Sequence, residues 1–353
     1  MATTSPPTER LRSISLTQRL LGRPAAGAVI IAVFLWVIFA LLSIRTGNPV
    51  FLKVDGTFNY LDVAAQVGIL ATSVALLMIA GEFDLSIGSL VGFAGIVIGV
   101  GVTELGLPIW LAIVVSMILT TFLGVINGLL VVRTGLPSFI VTLATMSIIG
   151  GLTRVATAVV TNITFIPIDR TLVANDPIAG FFNWSGHVEI AGQAGDLNVS
   201  ILWWIVIAVV GAYVLGRTKF GNWISGVGGS PGAARNLGVP VARVKIALFA
   251  STAFSAAILA AVQSMTFFSA DVLRGRGIEL AAITTAVIGG TLLTGGYGSV
   301  AGTAIAALAL GMAQIGITFA NINADWYLIT IGTLLLVSVI LNNSIRRRFA
   351  GMR

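Results

Sequence analysis

The stretch Gly81-Glu82-Phe83-Asp84-Leu85-Ser86-Ile87-Gly88-Ser89 sets two carboxylates and a glycine-hydroxyl turn between long apolar segments. Charges so closely flanked by apolar chain are expensive in a membrane and rarely accidental. Outward from this motif, composition fixes the solvent: 57% of the 353 residues are hydrophobic, 9% are charged, and the mean hydropathy is +1.02. A soluble globule of that size needs more polar surface. The chain reads as an all-α integral membrane protein.

A helix that crosses the hydrocarbon layer takes about 20 apolar residues. About ten such runs occur, with cores near residues 25–44, 60–80, 87–102, 109–132, 138–160, 201–215, 246–268, 278–293, 300–320 and 326–341. The third, sixth and eighth are short and glycine-rich or glycine-flanked, which suits helices buried among others or interrupted within the membrane. Arg10, Arg12, Arg19 and Arg23 precede the first run, so the positive-inside rule puts the N-terminus in the cytoplasm. Ten crossings return the C-terminus to that side, where Arg346, Arg347, Arg348 and Arg353 lie, and Arg133, Arg217, Lys219, Arg235, Arg243 and Lys245 fall on cytoplasmic loops. The isoelectric point near 10.5 is thus a topology signal, and no basic-aromatic groove points to nucleic acid. The apolar run after Arg23 exceeds a signal-peptide core and reads as a retained helix.

The organisation that follows is a cytoplasmic N-terminal tail (1–24), a transmembrane permease domain (25–343) and a basic cytoplasmic C-terminal tail (344–353). Two loops interrupt the domain. The outer one, 161–200, carries Trp184 and His187 and reads either as a connector on the membrane surface or as a docking rim for an external partner. The inner one, 216–245, is more specific. Ser230 can cap a helix, Pro231 suits its first position and Gly238 suits the residue past its end. The enclosed helix, 231–237, is about 10 Å long and marginal in water, so it needs something to dock against. Gly226, Gly228 and Gly229 loosen the chain before it, while Arg235, Arg243 and Lys245 present positive charge to the cytoplasm. Anionic lipid is the plain alternative for this surface.

The 353 residues include no cysteine and one histidine, which excludes disulfides, thiolate metal sites and a histidine metal cluster. There is no Walker A pattern, so if ATP drives transport another polypeptide hydrolyses it.

Residues 81–89 resemble the Gly-Gly-Ile-Asp-Leu-Ser-Val-Gly-Ser motif of the membrane permeases of bacterial ATP-binding cassette (ABC) sugar importers, the ribose, xylose and simple-sugar group. Leu136-Pro137-Ser138-Phe139-Ile140-Val141-Thr142-Leu143 is similar to another segment of that family. Ala233-Ala234-Arg235, Gly238-Val239 and Arg243-Val244-Lys245 are similar to its ATPase-facing loop, and Gly277–Leu280, Ile288–Thr291 and Gly295–Thr303 to its C-terminal signature. The resemblance runs from about residue 48 to about residue 342. Glu82 and Phe83 depart from the usual glycine and isoleucine, and Ser230-Pro231-Gly232 replaces polar residues before the paired alanines.

The resemblance implies a permease of the bacterial cytoplasmic (inner) membrane that pairs with a second copy or a paralogue. Cytoplasmic ABC ATPase subunits would drive it, and a periplasmic or lipid-anchored solute-binding protein would deliver the solute. ATP and Mg belong to the ATPase, and no cofactor is expected in this chain. The expected coupling loop contains Ser230, Pro231, Ala233, Ala234, Arg235, Leu237, Gly238, Arg243 and Lys245. The motif near the helix break contains Gly81, Glu82, Asp84, Ser86, Gly88 and Ser89, where Asp84 reads as a structural cap of exposed amides or Ser86 in preference to a direct sugar contact, and Glu82 as solvated at the cytoplasmic face. Gln66, Asn127, Thr142, Thr145, Gln263 and Gln314 are polar within spans and either tie helices together or line a path. Arg154 reads as snorkelling outward or pairing with an outer-loop carboxylate. The rival class is an ion-coupled secondary transporter. It is disfavoured because the charges fall near the expected helix ends instead of mid-membrane.

Overall fold

Apolar runs this long fold as helices because lipid offers no partner for backbone N–H and C=O groups. The computed structural model describes residues 25–350. In chain order it contains α1 (Ala26–Arg45), a 3-10 turn (Pro49–Leu52), α2 (Val54–Ile79), α3 (Ile87–Thr103), α4 (Ile109–Thr134) and α5 (Ser138–Thr161). An outer segment follows, with β1 (Phe165–Pro167), α6 (Arg170–Asn175), α7 (Gly180–Asn183), β2 (Ser185–Ile190) and β3 (Gln193–Asn198). Then come α8 (Val199–Arg217), α9 (Lys219–Gly229), α10 (Pro231–Asn236), α11 (Val241–Thr266), β4 (Ser269–Asp271), α12 (Ile278–Ile288), α13 (Val300–Phe319) and α14 (Trp326–Ala350).

Among the described residues, seven helices are long and apolar enough to cross a membrane: α1, α2, α4, α5, α8, α11 and α13. Three of the expected runs are shorter apolar helices. They are α3 with 17 residues, α12 with 11, and residues 326–340 of α14. The sixth run is not short, since α8 extends over 19 residues. The eighth stops at Ile288 because Gly289 and Gly290 follow, the latter with φ +91°, in the left-handed region that favours glycine. At 1.5 Å per residue α12 rises only about 16 Å, so it cannot traverse about 30 Å of hydrocarbon alone. The N-terminal tail, including Arg10, Arg12, Arg19 and Arg23, lies outside the described residues, as does Arg353.

Burial sorts the helices. In α2 83% of the apolar window is buried, in α11 72% and in α13 67%, against 22% to 33% in α1, α4, α5 and α8. The first three are the centre of the bundle and the others its more exposed rim. Small residues let the central backbones approach. A Cβ on Gly124 of α4 would stand 2.5 Å from the Phe249 carbonyl oxygen of α11, so only hydrogen fits. Gly124→Val is expected to destabilise the purified protein by about 1–3 kcal/mol through overpacking, read as earlier melting in detergent.

The outer segment contains structure that the sequence did not announce. Strands β2 and β3 form an antiparallel hairpin turned by Ala191 and Gly192, both at positive φ. Its turn pair is not one of the strong Asn-Gly or Asp-Gly signals. Gly195 of the hairpin lies against Phe58 and Val54 at the start of α2, and His187 Nδ1 pairs with Asp196 Oδ1 at 3.0 Å across the exposed strands. Strand β1 pairs with β4, fastening the outer segment to the chain after α11. Asp169 caps α6. By accepting the Thr171 backbone N–H and hydroxyl, its carboxyl is held below the usual carboxylate range.

Candidate functional site: a strapped motif and a glycine junction

The motif between α2 and α3 is an extended strap. Extended chain points successive residues to opposite sides, and the contacts follow that alternation. On one side, Phe83 N donates to Ser138 Oγ at 3.0 Å and Leu85 N to Thr142 Oγ1 at 3.1 Å, one turn apart on α5. On the other, the fully buried Asp84 accepts from Ser86 N (2.9 Å) and Ser86 Oγ (2.6 Å) through Oδ1, and from Thr252 Oγ1 of α11 (2.7 Å) through Oδ2. Asn127 Nδ2 of α4 donates to Ser86 Oγ at 2.8 Å, and Ser89 Oγ to the Met146 carbonyl of α5 at 2.9 Å. The strap therefore binds α4, α5 and α11 to the start of α3. Asp84 thus caps the Ser86 amide and hydroxyl, and Asn127 and Thr142 belong to the same network.

Glu82 is not solvated. It is 7% exposed and forms an ion pair with Lys245 at the start of α11. Both side chains are largely buried, and Lys245 turns to the motif. Removing one partner strands the other charge, so Lys245→Met is expected to destabilise the protein by about 3–5 kcal/mol. Glu82→Gln combined with Lys245→Met is expected to lose less than the two single changes together, and a double-mutant cycle on melting in detergent checks this.

The inner loop is more ordered than its glycines imply. Where loosened chain was expected, α9 forms. Thr218 caps it by accepting Gly221 N at 3.1 Å, and Ile224 and Val227 are fully buried against the ends of α2 and α11. That packing offsets the glycine penalty within the helix. Gly228 serves close approach, since a Cβ there would collide with the Ile79 carbonyl oxygen and reach 2.5 Å from Gly296 N. Gly296 N in turn donates to Ile79 O at 2.8 Å, and Gly81, at φ +85°, touches Gly228 and Gly295. Three segments thus meet backbone to backbone: the end of α2, the end of α9, and the loop between α12 and α13. Gly228→Val is expected to force them apart and melt the protein earlier by about 1–3 kcal/mol.

Beyond this junction α10 forms over Pro231–Asn236, one residue shorter than the expected 231–237, capped by Ser230 Oγ accepting Ala233 N at 3.3 Å, with Leu237 at its C-cap and Gly238 following at φ +82°. Ala234 turns inward against α9 and is 5% exposed. Pro231, Ala233, Arg235, Leu237, Gly238 and Arg243 are exposed, with Leu237 at 84%.

Polar residues in the spans separate into groups. Gln263 Nε2 donates to Gln66 Oε1 at 2.8 Å, Gln66 Nε2 donates to Asp62 Oδ2 at 3.3 Å, and Asp62 also accepts from Ser200 Oγ, which ties α2, α8 and α11 together. Thr145 bonds the Thr142 carbonyl on its own helix, and Gln314 lies on α13 apart from both networks. Arg154 makes no ion pair with an outer-loop carboxylate among the described residues. It lines a cavity of about 310 Å³ with Ser89, Ser147, Arg274, Arg276 and Glu279. Arg274 and Arg276 escaped the sequence reading because they sit in a short segment between apolar runs, with no motif to mark them. Asp84, just before α3, and Glu279, in the first turn of α12, stand at helix starts and are buried there. Among the described residues no cluster of His, Asp and Glu suits a metal.

Residues 56–339 match the family described as branched-chain amino acid transport system / permease component. The chain belongs to this permease family. It is 29% identical over 313 residues to the ribose import permease protein of Haemophilus influenzae, covering 88% of this chain and 92% of that one. The ribose import permease protein of Escherichia coli K12 is 28% identical over 315 residues, 88% and 91% of the two chains. The xylose transport system permease protein of the same strain is 29% identical over 347 residues, 86% and 88%. No solved structure matches. This permease is a transport component of a multi-pass membrane system and not an enzyme.

Proposed function

We propose that the permease forms the translocation pathway of an ABC importer for a monosaccharide or related small polar solute, in the bacterial cytoplasmic membrane. The observation that carries this reading is the continuous family match over residues 56–339, alongside relatives named as ribose and xylose permeases. A second copy or paralogue completes the pathway, a periplasmic or lipid-anchored binding protein delivers the solute, and a cytoplasmic ATPase binds ATP and Mg. Ten crossings leave both termini in the cytoplasm. In this arrangement α10 and Leu237 seat in the ATPase, and the glycine junction passes that contact to the motif strap. ATP binding and hydrolysis then shift the balance of inward-open and outward-open states.

The test is uptake by proteoliposomes holding the permease with its ATPase and binding protein. Uptake is expected to require both partners and ATP. Uptake driven by a proton or sodium gradient without ATP would establish the ion-coupled rival. The topology has its own check, because the 353 residues contain no cysteine to give background. An impermeant maleimide on intact spheroplasts is expected to label Ser185→Cys and to reach Ser230→Cys only after the membrane is opened. The reverse pattern removes the coupling assignment.

A further inference from the structure

The cavity lined by Arg154 and Arg276 lies where two short helices begin. Gly88, at the start of α3, packs against the Glu279 carboxylate in the first turn of α12, and a Cβ at Gly275 would stand 2.5 Å from the Gly88 carbonyl oxygen. Each helix start already has its own carboxylate. Asp84 accepts Ser86 N before α3, and Glu279 accepts Gly277 N at 3.0 Å before α12. The helix dipoles are therefore answered within the fold, and Glu279, at 6% exposure, is the one carboxylate in the lining.

Three guanidiniums line the cavity with that acid, and Asp271, outside the lining, is in Coulombic range of Arg274. Arg274 is committed to structure: its Nη1 donates to the Ser269 carbonyl, its Nη2 donates to Ser269 Oγ at 2.9 Å, and it stacks 5.2 Å from the Phe267 ring centroid. Arg154 and Arg276 are not. Both are exposed and line the cavity, and among the described residues neither forms an ion pair; Glu279 is in Coulombic range of Arg276. Uncompensated cations inside a membrane domain are costly unless something answers them. Ser89 and Ser147, also in the lining, donate their hydroxyls to the Met146 and Leu143 carbonyls, which leaves their oxygens free to accept. No aromatic face lines the cavity to stack a neutral sugar ring. Its volume, about 310 Å³, falls at the small end of ligand pockets and suits a monosaccharide.

We propose that this cavity is a solute subsite for a carboxylated sugar, a uronate or aldonate, in which Arg154 and Arg276 hold the carboxylate and Ser89 and Ser147 accept from hydroxyls. The inference rests on the importer reading for its polar, sugar-like cargo and narrows that cargo to an acid. Guanidinium forks match planar carboxylates in a way that neutral hydroxyls do not repay.

The experiment melts the full-length permease in phosphatidylcholine nanodiscs, which supply no anionic headgroup, with D-galacturonate, its methyl ester, D-galactose or sodium sulfate. Galacturonate is expected to raise the melting temperature, while galactose and the uncharged ester at the same concentration leave it unchanged. R154Q and R276Q are each expected to raise the galacturonate concentration for half the shift by about tenfold, the loss of one charge-assisted hydrogen bond. The ester comparison stands even if a variant fails to fold. Equal shifts from galactose or the ester overturn the proposal, as does a sulfate shift equal to that of galacturonate, which marks a site for any anion. Failure of the importer reading is a separate result, in which uptake loses its ATP dependence while the galacturonate shift persists.

Discussion

Replacing Leu237 with aspartate is expected to leave the permease folded and inserted while abolishing solute-stimulated ATP hydrolysis. Leu237 is 84% exposed at the end of α10, so nothing in the fold depends on its side chain, and the stability change belongs in the range of about 0.5 kcal/mol typical of surface substitutions. An exposed leucine beside a six-residue helix is a poor surface for water and a good one for a cleft. A carboxylate forced into such a cleft without a partner costs several kcal/mol, and each 1.4 kcal/mol of lost docking weakens the complex about tenfold. Stimulated hydrolysis by the reconstituted complex is therefore expected to fall to the basal rate, with unchanged melting of the permease alone. Ala234→Asp is not an equivalent test, because Ala234 is buried against α9 and its charge would unfold the loop itself. Normal coupling in Leu237→Asp would show that α10 docks nothing.

The difference between these two neighbours shows what sequence could and could not convey. The cap of α10 was legible because Ser230, Pro231 and Gly238 act on the backbone within a few residues of themselves, and local geometry needs no tertiary knowledge. The apolar runs were legible because their length is set by the bilayer. Glycines at 226, 228 and 229 were ambiguous: the same residue loosens a free chain and admits a crossing backbone, and only the position of Ile79 and Gly296 decides between the two. Glu82 was misread for a related reason. A charge at the end of an apolar helix is ordinarily solvated, and its partner Lys245 lies across the bundle at the start of α11. Arg154 and Arg276 come from separate runs, and folding alone brings them to one cavity. The motif strap was legible in kind but not in reach. Its spacing announced a helix break, whereas its partners on α4, α5 and α11 are a property of packing.

That strap gives the other large expected effect. Asp84 is fully buried and accepts three hydrogen bonds, from Ser86 N, Ser86 Oγ and Thr252 Oγ1. Asp84→Leu fills a similar space and strands Ser86 N and Ser86 Oγ, while Thr252 Oγ1 keeps its bond to the Phe249 carbonyl. At about 1–3 kcal/mol for each unsatisfied buried group, the loss for the two Ser86 donors is about 2–6 kcal/mol and reaches the lower end of the margin of about 5–15 kcal/mol that holds a typical protein folded. No monodisperse protein is expected from this variant. Asp84→Asn differs because its carbonyl oxygen can still accept from Ser86, while its amide faces Thr252 Oγ1. That hydroxyl also donates to the Phe249 carbonyl at 2.8 Å, so it can keep that bond and accept from the amide. The asparagine variant is then expected to fold with a loss of about 1 kcal/mol, read as a slightly lower melting temperature in detergent. Equal loss of folded protein in both variants would show that the negative charge itself is required. Normal folding of Asp84→Asn with its transport gone would move Asp84 from the scaffold to the gate, because the strap it ties runs from the glycine junction under the coupling loop to the start of α3 beside the cavity.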